Sequence, residues 1–402
     1  MPKEEISKEE NAGEGTEETV PEKKIRVLLM DTDFQSYFHD SVTVVYHQEN
    51  CEERITYTPE SPELADSPLI VAEKEGGIRI TTIERQQGNP LYEGTLEIRN
   101  TPDGLLLINE LPLESYLESV VPSEMPSSYA REALKAQAVC ARTYACRQMQ
   151  EAVLKDYGAD VDDSVRFQVY ANIAPQESTT NAVQETAGQV LCQGGELIQA
   201  YYFSTSSGAT STDEIWGAEE AASYLKAVDC DFDENEPWSS WRVTIPWQAL
   251  ADRSAGYCPD KESGGALGAS SGKLTALEIT RKNQSGAVTG LHVITEDGSF
   301  QLTEEYSIRE FLSPAGCTIT EKDGSSVQGS TLLPSAYFTM ETVPGESVTL
   351  LGRGYGHGVG MSQTAANQMA LQGFTYPEIL NYFFKDIEIN QIEKEDCGLQ
   401  EK

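Results

Sequence analysis

A single glutamate stands in an apolar, proline-bracketed turn, residues 120–126 (VVPSEMP), with Glu124 at its centre. Just beyond it comes a small-residue stretch, 132–144 (EALKAQAVCARTY), with Lys135 and Arg142 on one side. A carboxyl group that donates a proton near neutral pH needs a raised pKa. Burial against Val120, Val121, Pro122 and Met125 would raise it, whereas a helix N-terminus and the Lys135 and Arg142 charges would lower it. The effects oppose, so desolvation has to win if Glu124 is an acid catalyst. The alternative is a carboxylate that merely complements a helix dipole.

A second unusual segment is 352–363 (GRGYGHGVGMSQ), where glycine fills every other position from Gly352 to Gly360. Such a run lets the backbone approach a ligand or another backbone closely. It matches neither a phosphate loop nor the GxGxxG pattern. His357, one of four histidines, reads as a hydrogen-bonding or site-supporting residue ahead of a catalytic one. Ser362 is placed to cap a helix that ends near Gly373. There is no GxSxG elbow, no HExxH and no Cys/His cluster at zinc spacing. Cys140 and Cys146 lie six residues apart, about 240° around a helix, and do not share a face.

The elements that must position these residues can be read in outline. Strand patterns rich in Val, Ile and Thr occur at 25–30, 41–46, 77–83 and 94–99. The turn Pro102-Asp103-Gly104 predicts a hairpin between 94–99 and 105–108. Residues 111–121 (LPLESYLESVV) read as a short helix stopping at Pro122. The main helix is expected to start at Ser127 or Ser128 as N-cap and to run to about Asp156. Leu134, Ala138, Ala141, Ala145, Met149 and Ala152 form its close-packing face. Arg131, Lys135 and Arg142 fall on another stripe, which alone could be a solvated face. Strand patterns follow at 196–203, 238–247 and 274–279, with 255–272 and 321–329 as turn-rich connections. The chain reads as α+β, with mixed β-rich lobes around a long helix that follows the Glu124 turn.

The chain of 402 residues can bury a large core. A net charge of −36 argues against nucleic acid as the main partner, because no basic stripe could neutralise phosphates. No run of 18 or so apolar residues predicts a transmembrane helix. Residues 1–24 read as a disordered acidic tail or linker, 25–392 as the folded region of two or more lobes, and 393–402 as a C-terminal tail. The eight cysteines are widely spread and define no disulfide framework, so mostly free, buried thiols are expected.

The stretch VVPSEMP…EALKAQAVCARTYA resembles the signature of the stage II sporulation protein D family, and GRGYGHGVGMSQ resembles a second signature of it. The loop 204–210 (STSSGAT), the Tyr224-Leu225 pair after Trp216, Tyr92-Glu93-Gly94 and 109–117 (NELPLESYL) fit as well. The resemblance runs from about residue 25 to about 390. It implies a lytic transglycosylase that cuts the MurNAc–GlcNAc bond of peptidoglycan, leaves a 1,6-anhydro-MurNAc end and prefers strands stripped of stem peptides. It implies Glu124 as the acid/base, Lys135, Gln137 and Arg142 as substrate-binding or site-organising residues, and Tyr144, Ser206 and His357 as further candidates. The implied partners are glycan strands, a cell-wall amidase and other engulfment proteins. The implied location is extracytoplasmic and cell-wall facing, with membrane attachment only through an anchor absent from this chain.

One carboxylate suffices for that chemistry. Ordinary glycosidases need two, but here the sugar's own 6-hydroxyl can be the nucleophile, and one residue can give and then take the proton. Family members of the sporulation type often carry a His and two Cys before a Gln-Val-Tyr, and these can bind zinc. Residues 155–170 keep Gln168-Val169-Tyr170 but have no His or Cys, so no metal or cofactor is expected. Ser207 replaces a common glycine, and Ala365-Ala366 replaces a Gly-Ala. Relatives that enhance a wall amidase, and a purely glycan-binding module, are the two alternative functions.

Overall fold

A computed structural model describes residues 23–48, 51–73, 77–256, 266–267 and 272–392. The expected tails and most of the connection at 255–272 lie outside these residues; Lys24 already opens the first strand. The fold is α+β, as the patterns require. Its seven helices are α1 (Leu113–Glu124), α2 (Arg131–Glu151), α3 (Glu177–Glu185), α4 (Trp247–Gly256), α5 (Glu305–Phe311), α6 (Gln363–Leu371) and α7 (Tyr376–Phe383) among the described residues.

The N-terminal lobe holds two sheets. One runs Leu69–Ala72, Thr95–Thr101, Gly104–Pro112, Lys24–Leu28, Val161–Asp162, and the other Cys51–Tyr57, Val42–Gln48, Ile78–Ile80, Leu91–Tyr92. The predicted hairpin is present, with Thr101 opposite Gly104 at its turn. Glu196–Leu197 and Tyr202–Phe203, read as one strand from sequence, pair in different sheets: the first with Gln189–Gln193, the second in parallel with Met361–Ser362.

Helix α2 is the shared wall of two cores, which explains its alanines. Ala138, Ala141 and Ala145 pack with Tyr116, Leu117 and Val120 of α1 against the N-terminal sheets. Ala133, Ala136, Val139 and Cys140 pack on the other side against Ala365 and Met369 of α6 and Ile379 and Phe383 of α7. Small side chains let layers on both sides approach the helix. A third core lies in a lobe of its own, built on Trp241–Pro246, Ser347–Gly352, Val288–Thr295 and α5. That lobe is inserted between two neighbouring strands. The chain leaves after Tyr202–Phe203 and returns at Met361–Ser362, beside its point of departure.

Three helix boundaries differ from expectation, the end of α1 and both ends of α2, and the first two bear on the site. Pro122 lies inside α1, which continues to Glu124. A proline in the last turn forfeits one hydrogen bond without stopping the residues behind it; the Met125 N–H still donates to the Val121 carbonyl at 2.9 Å. Helix α2 begins at Arg131 with Ala130 as N-cap, not at Ser127 or Ser128. No side chain caps the helix; the Ala130 N–H instead donates to Asn367 Oδ1 of α6 at 2.8 Å, a tertiary contact that fixes where the helix starts. The helix ends at Glu151, where Ala152 turns left-handed with φ 49°. Ser362 does cap α6, accepting from the Ala365 N–H. Among the described residues Cys140, Cys146, Cys192 and Cys230 are free and buried, and Cys317 is free and partly buried.

Candidate active site

Glu124 is the last residue of α1, so the helix end nearest it is the negative one. The dipole and burial therefore act in the same direction, opposite to the expectation from a turn ahead of a helix. Its Oε1 accepts the Val169 N–H at 2.6 Å, and the Tyr202 hydroxyl donates to the same carboxyl group. Burial pushes the Glu124 carboxyl up to about 7, against the lowering pull of those two donors. Neither expected cation opposes this. Lys135 is paired with Glu185 at 2.8 Å and Glu132 at 3.2 Å. Arg142 is fully buried and forms a two-pronged pair with Glu114 at 2.6 and 2.8 Å.

Glu124 opens into a cleft of about 450 Å³. Tyr144, Tyr201, Tyr202, Phe203, Trp216 and His357 supply much of its wall. The Trp216 ring stands 4.9 Å from that of Tyr201 and 5.0 Å from that of His357, and His357 lies 5.7 Å from Phe203. Aromatic faces of this kind suit the apolar faces of sugar rings. Glu124 is the sole carboxyl group lining the cleft among the described residues.

The Glu124 carboxyl sits in a relay. Gln168 Nε2 donates to the Tyr202 hydroxyl at 3.0 Å, and the Tyr116 hydroxyl donates to Gln168 Oε1 at 3.3 Å. Gln363 Nε2 reaches the Glu124 main-chain carbonyl at 3.1 Å and Gln137 Oε1 at 3.3 Å. Because the Tyr202 hydrogen bond favours the carboxylate, Tyr202→Phe should raise the Glu124 pKa. The descending limb of any acid-dependent rate moves to higher pH, a shift readable from kcat/KM against pH.

The candidates named from sequence separate into two groups. Glu124, Tyr144 and His357 line the cleft. Gln137 is fully buried and touches the cleft only through Gln363. Ser206 is buried away from it: its hydroxyl donates to Asp233 Oδ1 at 2.6 Å and its N–H to Oδ2 at 2.7 Å, while Ser362 and Thr364 donate to the same carboxylate. Arg142 ties α1 to α2 through Glu114 and also donates to the carbonyls of Val183 and Gln189. Lys135 clamps α3 to α2 and lies over the Tyr376 ring of α7. These residues build the walls behind the cleft.

His357 is held neutral. Burial, with a smaller push from the Arg309 charge, lowers its imidazole to about 3 despite the Tyr202 main-chain bond. Its Nδ1 accepts the Val359 N–H at 3.1 Å, which leaves the proton on Nε2. The imidazole is thus a wall and a backbone anchor, not a proton donor at neutral pH.

The alternating glycines are sites of close approach: Gly354, Gly356 and Gly360 face the Tyr201–Ser206 segment, whereas Gly352 lies under the Trp241 ring and Gly358 against the Tyr337 ring. A Cβ on Gly360 (φ 80°) would stand 2.1 Å from the Tyr201 carbonyl oxygen, in the parallel pairing that holds Tyr202 in place. Gly360→Ala is therefore expected to cost about 2 kcal/mol or more in a denaturant melt. Gly345→Ala, with φ 81° but open space around it, should cost about 1 kcal/mol from strain alone.

Residues 155–170 are held without His or Cys. Asp163 pairs with buried Arg85 at 2.6 Å and accepts the Met30 N–H at 2.9 Å, and Asp162 accepts the Tyr37 hydroxyl at 2.8 Å. Sequence reasoning did not single out Tyr201, Tyr202, Gln168, Arg166 or Trp216 as site residues. The available signals were the Tyr201-Tyr202 pair in a strand pattern and the retained Gln168-Val169-Tyr170.

Comparison with known proteins adds to this geometry. Residues 101–192 match the family model described as "Stage II sporulation protein", and residues 214–360 match a "Domain of unknown function (DUF8618)", which spans the inserted lobe. Stage II sporulation protein D of Bacillus subtilis is 33% identical over 300 residues, covering 71% of this chain and 76% of that protein. Its counterpart in Bacillus amyloliquefaciens is 31% identical with the same coverage of both chains. The amidase enhancer of Bacillus subtilis is 31% identical over 67% of this chain but only 39% of its own length.

Proposed function

Because the chain belongs to the stage II sporulation protein D family, we propose that it is a sporulation cell-wall enzyme, a lytic transglycosylase of peptidoglycan glycan strands with Glu124 as its acid/base. The observation that carries this reading is the lone, raised-pKa carboxyl group in an aromatic-walled cleft. A two-carboxylate glycosidase needs a second acidic group facing the substrate across the scissile bond.

Protonated Glu124 donates to the oxygen linking MurNAc C1 to GlcNAc, and the C1–O bond breaks. The 6-hydroxyl of the same MurNAc then attacks C1, and the Glu124 carboxylate takes its proton. The products are a 1,6-anhydro-MurNAc end and a free GlcNAc hydroxyl, and the carboxyl group is regenerated. A pKa of about 7 suits both halves: near neutral pH the group is protonated for a sizeable fraction of molecules and is basic enough to accept a proton. Tyr144, Tyr201, Trp216 and His357 shape the sugar-binding wall. Gln137, Arg142, Lys135 and Ser206 organise it from behind.

Similarity to the amidase enhancer supports a second reading, in which the cleft binds glycan and the protein stimulates a wall amidase. Incubation with peptide-free glycan strands and mass spectrometry of the products separates the two. Anhydro ends from the wild type, absent with Glu124→Gln, support the enzyme. No cleavage by the wild type, with amidase stimulation intact, supports the enhancer. Among the described residues no helix is long and apolar enough to cross a membrane.

A further inference from the structure

Arg166 stands at the rim of the cleft and is the sole cationic side chain among the described residues lining it. It lies three residues before Val169, whose N–H holds Glu124, so at most about 10 Å of chain separates the two positions. Among the described residues its guanidinium makes one hydrogen bond, from Nη1 to the Tyr37 hydroxyl at 3.2 Å. Tyr37 in turn donates to Asp162 at 2.8 Å. One nitrogen of the fork is anchored, and the remaining donors are left for a ligand. The protein as a whole carries a charge of −36, so a cationic rim beside a cleft whose one carboxyl group resists ionisation marks a place for an anionic substituent.

We propose that Arg166 binds the lactyl carboxylate of the muramyl unit seated beside Glu124, so that the cleft selects glycan with free lactyl carboxylates over glycan in which they are amide-linked. This rests on the reading of the cleft as a site for muramyl glycan. Guanidinium and carboxylate match as a planar, charge-assisted pair, whereas an amide at the same position is neutral and offers a single acceptor. Arg166 then supplies a physical reason for a preference for strands without stem peptides. Arg166 is exposed, so the preference weakens as salt rises.

The test compares two preparations of the same strands, one with free lactyl carboxylates and one with those groups converted to methylamides. The wild type is expected to prefer the free form by about tenfold or more in kcat/KM. Arg166→Gln brings that ratio to about one, and Arg166→Lys keeps part of it. A ratio unchanged by Arg166→Gln, or an equal loss on both strands, overturns the proposal. If the wild type cleaves neither strand, catalysis by the cleft is disproved while the role of Arg166 is still decided by equilibrium binding. Tighter binding of the free-carboxylate strand that Arg166→Gln erases upholds it, and equal binding of both strands overturns it.

Discussion

Glu124→Gln is expected to abolish glycan cleavage, by about a thousandfold or more, while making the protein more stable above pH 7. The two effects share one cause. The folded state holds this carboxyl at about 7, whereas an unfolded glutamate titrates near 4.3. Its raised folded pKa means that the folded state binds the extra proton between those values. Stability therefore falls with rising pH from about 4.3 to about 7 and levels off above it. The cost of the ionised form at pH 8 is on the order of 2 kcal/mol, allowing for the group's partial exposure to the cleft. Glutamine keeps the shape, and its amide oxygen can still accept the Val169 N–H, but it carries no charge. The melting temperature of the variant should exceed that of the wild type at pH 8, and the difference should shrink toward pH 4. Inactivation without this pH-dependent gain would mean that Glu124 is an ordinary ionised carboxylate.

Arg142→Ala is expected to be strongly destabilising, and its main effect falls on folding rather than chemistry. The guanidinium is fully buried, takes both oxygens of Glu114 and donates to the carbonyls of Val183 and Gln189. Removing it leaves a cavity, takes that donor from the Val183 and Gln189 carbonyls, and leaves Glu114 with the Gly188 N–H but no cation. Breaking a fully buried pair from one side costs about 3–5 kcal/mol; with Glu114 partly exposed, a loss near the lower end, about 3 kcal/mol, is expected. Arg142→Lys should recover only part of this, since an ammonium cannot form the two-pronged bond. Denaturant melts measure the loss, and the rate per folded molecule should stay within a few fold of the wild type, because Arg142 does not face the cleft. A variant of normal stability with a large rise in KM would instead assign Arg142 to the substrate.

How much of this could be read from the chain depends on how local each feature is. Glu124 stood out because its apolar, proline-bracketed turn is written in seven consecutive residues, and the long alanine-rich helix after it was visible from its periodicity. The hairpin at Pro102-Asp103-Gly104 and the Ser362 cap were local signals too, and both are present. Pro122 reads as a helix stop and so places Glu124 ahead of a helix, whereas α1 continues through the proline and ends at Glu124. The stripe of Lys135 and Arg142 reads equally well as a solvated face, their role at the site comes only from the resemblance, and neither reveals that Glu185 and Glu114 return from other helices to meet them. The Val169 N–H comes from 45 residues away, and Tyr202 arrives from a separate strand in parallel pairing with Met361–Ser362. Nothing in local sequence announces such meetings. The glycine run is legible as a place of close approach; its partners, the Tyr201–Thr205 segment and the Trp241 and Tyr337 rings, are not.

In the proposed reaction one carboxyl group and the sugar's own hydroxyl, without water, complete the cleavage. Cleavage of peptide-free glycan strands in heavy-oxygen water tests it most directly. New muramyl ends are expected to be lighter than a hydrolysed end by one water and free of the label, formed by the wild type and not by Glu124→Gln. Labelled, reducing muramyl ends would contradict it.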